Sequence, residues 1–409
     1  MDTSPPAFPL HGGAPAGDAR RAGLVPAIVA IPAKDEAERI AACLAAFARQ
    51  TRRPDGVVLL LNNCTDETEA VASQRAAALP CRLHIVSHTF PPATANAGNA
   101  RRLAMQLAAD IAGPGGVLLT TDADTVVADD WVEKNLAALA DGADIVCGRV
   151  KVDPAEAALI PPHLQADDAL ECELIDLLDR IAFVLDPQPG DPWPRHTEAA
   201  GASLAVTAAA FARAGGIPPV ASGEDRAFVQ ALARMDARIR HDPAISVTVS
   251  GRVHGRAPGG MADTIRRRMR QQDEFADDGV EPAADAYRRF DFRRRVRLAW
   301  HDHRAGRRQG PELAADLGMP AARLQRMLRN RYFGAAWAEV EAATPLLRRR
   351  RVRFTELPRQ IAYARQLLAQ HADSRARAAF EDLASPPGRK AADGGNRGPL
   401  WSSVADRPG

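Results

Sequence analysis

Two groups of carboxylates in the sequence have the residue types and spacing that metal-assisted and acid–base chemistry require. Asp122-Ala123-Asp124 follows the apolar run Val117–Leu119 after two threonines. Residues i and i+2 of an extended segment point to the same side, so the two carboxylates can converge at a strand end. Such a pair suits a hard divalent cation, magnesium or manganese, which keeps its other positions for water and phosphate oxygens. A solvated turn is the plainer reading of an Asp-x-Asp triplet. The second group is Ser222-Gly223-Glu224-Asp225-Arg226, immediately before AFVQALARM. Acidic residues at a helix start are stabilised by the macrodipole. Asp225 could equally act as a general base, taking a proton from a substrate hydroxyl at the edge of a cleft.

The elements that must position these groups can be read from apolar periodicity. AIVAIPA, GVVLLLNN, RLHIVSH and GVLLTTDADT read as strands. Between them, EAERIAACLAAFARQ places Ile40, Cys43, Leu44 and Phe47 at helical spacing, and DETEAVASQRAAAL and NAGNARRLAMQLAADI also read as helices. A β-α-β-α-β-α-β succession with short turns calls for a mostly parallel sheet covered by helices on both faces. Ligands bind such sheets at the carboxyl ends of the strands. There the chain places Lys34-Asp35-Glu36, Asn62-Asn63-Cys64-Thr65-Asp66 and Asp122-Ala123-Asp124.

Composition sets the frame. The 409 residues, 46% hydrophobic and 25% charged, are those of an ordinary globular protein. No stretch approaches the roughly 20 consecutive apolar residues that span a bilayer. The first residues lack an apolar signal core, so a cytoplasmic location is expected. The five cysteines are scattered without a CxxC pair, which predicts free thiols. The net charge of +2 conceals an acidic body and an arginine-rich stretch beyond about residue 261. The expected organisation is a disordered lead-in over 1–24, an α/β domain over 25–260, a helical region over 261–384 and a disordered tail over 385–409.

IPAKDEAERIAACLAAF, VLLLNNCTDETEAVA, NAGNARRLAM, LLTTDADTVVADDWV, GASLAVTAAAFARAGGI and SGEDRAFVQALARM follow one another in an order that resembles family-2 glycosyltransferases of the GT-A fold. The resemblance spans roughly residues 25–256. It implies an inverting transfer from a nucleotide-diphospho-sugar donor, assisted by Mg2+ or Mn2+. Carried over, Pro32, Ala33 and Glu36 would line the nucleoside pocket, Asp66 would bond the base, and Arg101 would sit near the base or diphosphate. Asp122 would approach the ribose and the metal, and Asp124 would ligate the metal directly. Asp225, with Glu224 beside it, would supply the catalytic base. His254 would add a metal ligand, while Gly201-Ala202-Ser203 and Trp193 would face the acceptor.

The chain departs from the family in three places. Asp35-Glu36 stands where Asn-Glu is common, Asn62-Asn63 where acidic residues usually end the second strand, and RRRMRQQ where processive synthases carry Gln-x-x-Arg-Trp.

Two features lie outside this frame. Ala314, Gly318 and Leu324 have helix–turn–helix spacing within 312–330, with Arg323, Arg326 and Arg329 on or near the second helix. Either this is a DNA-binding element or two packed helices with a glycine C-cap; nucleic acid is not the expected partner. The clusters Arg266–Arg268, Arg293–Arg295 and Arg348–Arg351 offer either peripheral contact with an anionic membrane or solvated helix faces. A nucleotide-sugar binder without catalytic activity is the remaining alternative.

Overall fold

The structure, a computed structural model, describes residues 25–252, 255, 261–271, 273–307 and 311–384. The segments 1–24 and 385–409, expected to lack order, lie outside the described residues, as does His254. The chain divides into two compact units, residues 1–365 and 366–409. Among the described residues the second unit is the continuation of the helix Leu357–Ala384. All that follows concerns the first.

The central sheet has eight strands: β1 Ala27–Ala33, β2 Gly56–Asn62, β3 Arg82–His88, β4 Val117–Thr120, β5 Val126–Val127, β6 Ile145–Val152, β7 Leu204–Thr207 and β8 Ile239–Val249. Their order is β3-β2-β1-β4-β7-β6-β8-β5. The β3-β2-β1-β4 half is parallel throughout. β7 runs antiparallel between β4 and β6 and mixes the sheet. β6 and β8 pair in parallel, and the two-residue β5 pairs antiparallel to β8.

The first strands are continuous apolar runs because both of their faces are covered. Val29 and Ile31 of β1 pack with Ile40, Leu44, Phe47 and Trp131 on one face, while Ile28 and Ala30 pack with Ala104, Met105 and Phe228 on the other. The chain leaves β1 toward β2 and β3 on one side and returns to β4 on the other. The order therefore reverses between β1 and β4, opening a crevice at their carboxyl ends.

Beyond the sheet, the helices Ala283–Arg304, Glu312–Asp316, Ala321–Leu328 and Phe333–Ala343 enclose their own core around Phe292, Val296, Leu317, Leu324 and Trp337. Arg297 docks this region, giving two 2.9 Å hydrogen bonds to Asp186 at the end of the helix Pro162–Leu185. Asp236 accepts hydrogen bonds from the N–H groups of Phe333 and Gly334 at 2.6 and 2.7 Å, capping the helix that starts there. Asp236 also sits at φ 53°, a conformation Asn and Asp tolerate better than Ala. Asp236→Ala should therefore lower unfolding free energy by about 1–2 kcal/mol in urea titration, with Asp236→Asn retaining most of it.

The segment with helix–turn–helix spacing is a pair of packed helices. Gly318, at φ 64°, donates to the Ala315 carbonyl and Met319 to that of Ala314, a Schellman turn that buries Leu313, Ala314, Leu317 and Leu324. Most arginines of the three clusters are engaged within the chain. Arg267 and Arg268 pair with Asp273, Arg268 with Glu171, Arg293 with Asp186, Arg294 with Asp291, Arg350 with Asp285 and Arg351 with Asp278. Among the described residues no helix is long and apolar enough to cross a membrane, and the five cysteines are free.

Candidate active site

The loops that follow β1 and β2 fasten to one another. After β1, Asp35 adopts φ 53° and after β2 Asn63 adopts φ 49°. Asp35 accepts the N–H of Thr65 at 2.6 Å, and Asp66 accepts those of Ala37 and Thr68 at 3.0 Å each. Asp66 thus caps the helix Thr68–Ala76 and ties it to the β1 loop. Burial would raise the Asp66 carboxyl, but the Thr68 hydroxyl and the two backbone donors outweigh it and hold it below the usual range. A cleft of about 450 Å³ lies here, lined by Asp35, Ala37, Glu38, Thr65, Asp66 and Glu67. Pro32 and Ala33, expected to line the nucleoside pocket, are the last residues of β1, paired with Leu60 and Leu61, and do not line this cleft.

Past β4 the chain does not stay extended through the Asp-x-Asp triplet, as the strand argument assumed. Thr125 N–H closes back onto the Asp122 carbonyl at 3.2 Å, so Asp122 and Asp124 stand in a turn. Their carboxylates nonetheless stay near enough to act on one another, each held by a different arginine. Asp122 accepts from Arg101 at 2.5 Å, and Asp124 lies 3.1 Å from Arg252. Arg252 also forks onto Glu36, with bonds of 2.7 and 2.5 Å. Burial first, then the neighbouring Asp122, pushes the Asp124 carboxyl up to about 6 despite Arg252.

Arg101 joins this group to the second one. Its guanidinium is buried and donates to Glu224 at 2.9 Å, the Thr120 hydroxyl at 2.9 Å and the Gly201 carbonyl at 3.0 Å, besides Asp122. A Cβ on Gly201 would stand 2.5 Å from the guanidinium carbon, so only glycine permits the approach. Gly201 N–H in turn donates to Asp225 at 2.8 Å, and Arg226 N–H holds the other oxygen at 2.7 Å. A continuous run of contacts therefore links the tip of β4 to Asp225.

Sequence reasoning grouped Glu224 with Asp225, but helical geometry separates them: Glu224 turns inward onto Arg101 and is buried, whereas Asp225 is half-exposed. Arg101, expected beside the base or diphosphate, has its N–H groups taken up by the protein itself. Arg252 was not singled out from the sequence; its one local signal is its place between β8 and His254. Trp193 is exposed, with Phe183 at 5.8 Å and Arg180 at 5.7 Å from its ring. Asp35, Cys64 and Asp66 also offer three potential ligand atoms within 4.8 Å of one another.

Among solved structures, the chain is similar to S. aureus TarS 1-349 in complex with UDP, at 14% identity over 85% of this chain and 91% of that one, with a TM-score of 0.41. It is also similar to the mannosyltransferase PcManGT from Pyrobaculum calidifontis in complex with GDP-Man and Mn2+, at 18% identity, 88% and 80% coverage, and a TM-score of 0.40. A third is glucosyl-3-phosphoglycerate synthase from Mycobacterium tuberculosis, at 18% identity, 62% and 82% coverage, and a TM-score of 0.34. No curated protein matches the chain. Residues 28–194 match the model of glycosyl transferase family 2. That segment, about two fifths of the chain, holds the strands up to β4 and the Asp122–Asp124 turn, so it is residues 28–194 that carry a domain of glycosyl transferase family 2.

Proposed function

We propose that the chain transfers a sugar from a nucleotide-diphospho-sugar to an acceptor hydroxyl, with inversion at the anomeric carbon and Asp225 as the base. The observation that carries this reading is the bridge made by Arg101, which ties Asp122 to the Gly201 segment that in turn holds Asp225. The nucleoside fits the cleft between the β1 and β2 loops, with Ala33, Glu36 and Asp66 near it and the diphosphate directed toward Asp122 and Asp124.

A divalent cation fits this place. Two carboxylates at one turn, the half-buried one raised to about 6 by burial and by the other, offer the oxygen ligands that a hard cation takes. Asp124 would hold the cation with Asp122 beside it; His254, the third expected ligand, lies outside the described residues. When bound, the cation supplies Lewis-acid stabilisation of the diphosphate leaving group.

The remaining work falls to the chain. Asp225, its two oxygens oriented by Gly201 and Arg226, takes the acceptor proton as the hydroxyl attacks the anomeric carbon from the face opposite the diphosphate. That single displacement inverts the centre through an oxocarbenium-like transition state, as in glycoside hydrolysis. Arg101 and Glu224 are positioning residues.

Thermal denaturation with UDP-, GDP- and TDP-sugars, each with Mg2+ or Mn2+, tests the donor. One nucleotide series should raise Tm, since a ligand at about 100 times Kd adds about 2.7 kcal/mol. The rise should need the cation and fade as the pH falls through about 6, where Asp124 takes up a proton. Absence of any shift across the three series would overturn the donor assignment.

A further inference from the structure

Arg252 makes the largest set of contacts to the crevice carboxylates that the proposed reaction leaves unused. Its guanidinium grips both oxygens of Glu36, at 2.7 and 2.5 Å, and reaches Asp124 at 3.1 Å. Glu36 is 6% exposed, so this pair is largely withdrawn from water. The backbone that carries Arg252 is itself fixed: Glu156 accepts from Gly251 N–H at 2.5 Å and from the Ser250 hydroxyl at 2.8 Å, and pairs with Arg39 at 2.8 Å. The guanidinium is therefore delivered to Asp124 from an anchored strand end, and any withdrawal must occur along its own side chain.

We infer that Arg252 is a built-in competitor for the divalent cation at Asp124, keeping cation affinity low until a diphosphate is present to receive the guanidinium. The inference rests on the donor-site reading above. A guanidinium and a divalent cation cannot both lie against the same carboxylate without repulsion, so the cation must displace Arg252 from Asp124 or bind against its charge. A forked arginine that loses one anionic partner needs another of matching geometry, and phosphate oxygens provide it. Cation and nucleotide diphosphate then favour each other's binding, and by linkage the preference is mutual. Cation held without nucleotide would be disfavoured.

Titration of the full chain with Mn2+ alone, following the free ion by electron paramagnetic resonance, tests this. Four proteins are compared: wild type, Arg252→Gln, the double variant Glu36→Gln/Arg252→Gln, and Asp124→Asn. The double variant avoids an unpaired buried Glu36, and circular dichroism confirms that each is folded. Both proteins lacking Arg252 should bind Mn2+ about tenfold more tightly than wild type, a coupling of ordinary size, and Asp124→Asn should lose the site. If Asp124→Asn loses the site but neither Arg252 variant binds more tightly, the inference fails and the donor reading stands. A gain in Arg252→Gln absent from the double variant would trace to the uncovered Glu36 charge and would also overturn it. If Asp124→Asn binds Mn2+ as wild type does, the metal assignment falls, and the inference with it.

Discussion

Asp225→Asn should lower kcat by about 10²–10⁴-fold while leaving donor binding nearly intact, the loss expected for a positioned general base. The amide keeps the shape of the side chain, and its oxygen can still accept one of the two N–H groups now given by Gly201 and Arg226. What it cannot do is take a proton. Because Asp225 does not reach the β4 turn except through Gly201 and Arg101, the donor site should be undisturbed. A fall in kcat and kcat/KM together, with donor affinity unchanged by thermal shift, marks an interaction made in the transition state. Near-full turnover would move the base to another residue.

Arg101→Met should be the most damaging single change to stability, at about 3–5 kcal/mol, the range for breaking a buried ion pair by removing one partner. The substitution fills much of the volume but leaves Glu224, 7% exposed at its side chain, with an uncompensated charge. Thr120 and the Gly201 carbonyl lose their donor as well. Activity should fall further than stability, because the Gly201 segment that orients Asp225 would no longer be held to β4. Urea unfolding gives the first effect, and single-turnover rates under folded conditions give the second. Arg101→Met/Glu224→Gln should recover part of the stability, since the orphaned charge is then gone; a double-mutant cycle reads that coupling. A loss below about 1 kcal/mol for Arg101→Met would show that the bridge does not hold the site together.

The parallel half of the sheet was legible because burial on both faces writes itself into the chain as uninterrupted apolar runs. β1, β2 and β4 emerged from those runs, the edge strand β3 from the shorter, partly buried RLHIVSH, and polar residues at the tips of the runs marked the site. The second half was not legible. β5 is two residues long, β6 carries Arg149 and Lys151 on a partly exposed face, and β8 contains Pro243 and meets β6 across a register shift after Gly148. None of these has the pattern of a buried strand, and the antiparallel insertion of β7 depends on pairing with distant segments.

The same limit applies to the site. Asp122, Asp124 and Asp225 were found by residue type and local context. The arginines that organise them act across 123 residues, for Arg101 and Glu224, and across 216, for Arg252 and Glu36. No local rule relates such partners. The i, i+2 argument for Asp122 and Asp124 assumed an extended backbone; the turn closed by Thr125 reaches a similar grouping by another route.

Diffraction at the manganese absorption edge, from crystals grown with Mn2+ and the stabilising nucleoside diphosphate, bears most directly on whether Asp124 anchors the donor. One strong anomalous peak is expected about 2.1 Å from an Asp124 carboxylate oxygen, the distance for a small hard cation, with diphosphate oxygens on its far side. A peak seated instead among Asp35, Cys64 and Asp66, the alternative set of ligand atoms, with Asp124 still facing Arg252, would contradict it.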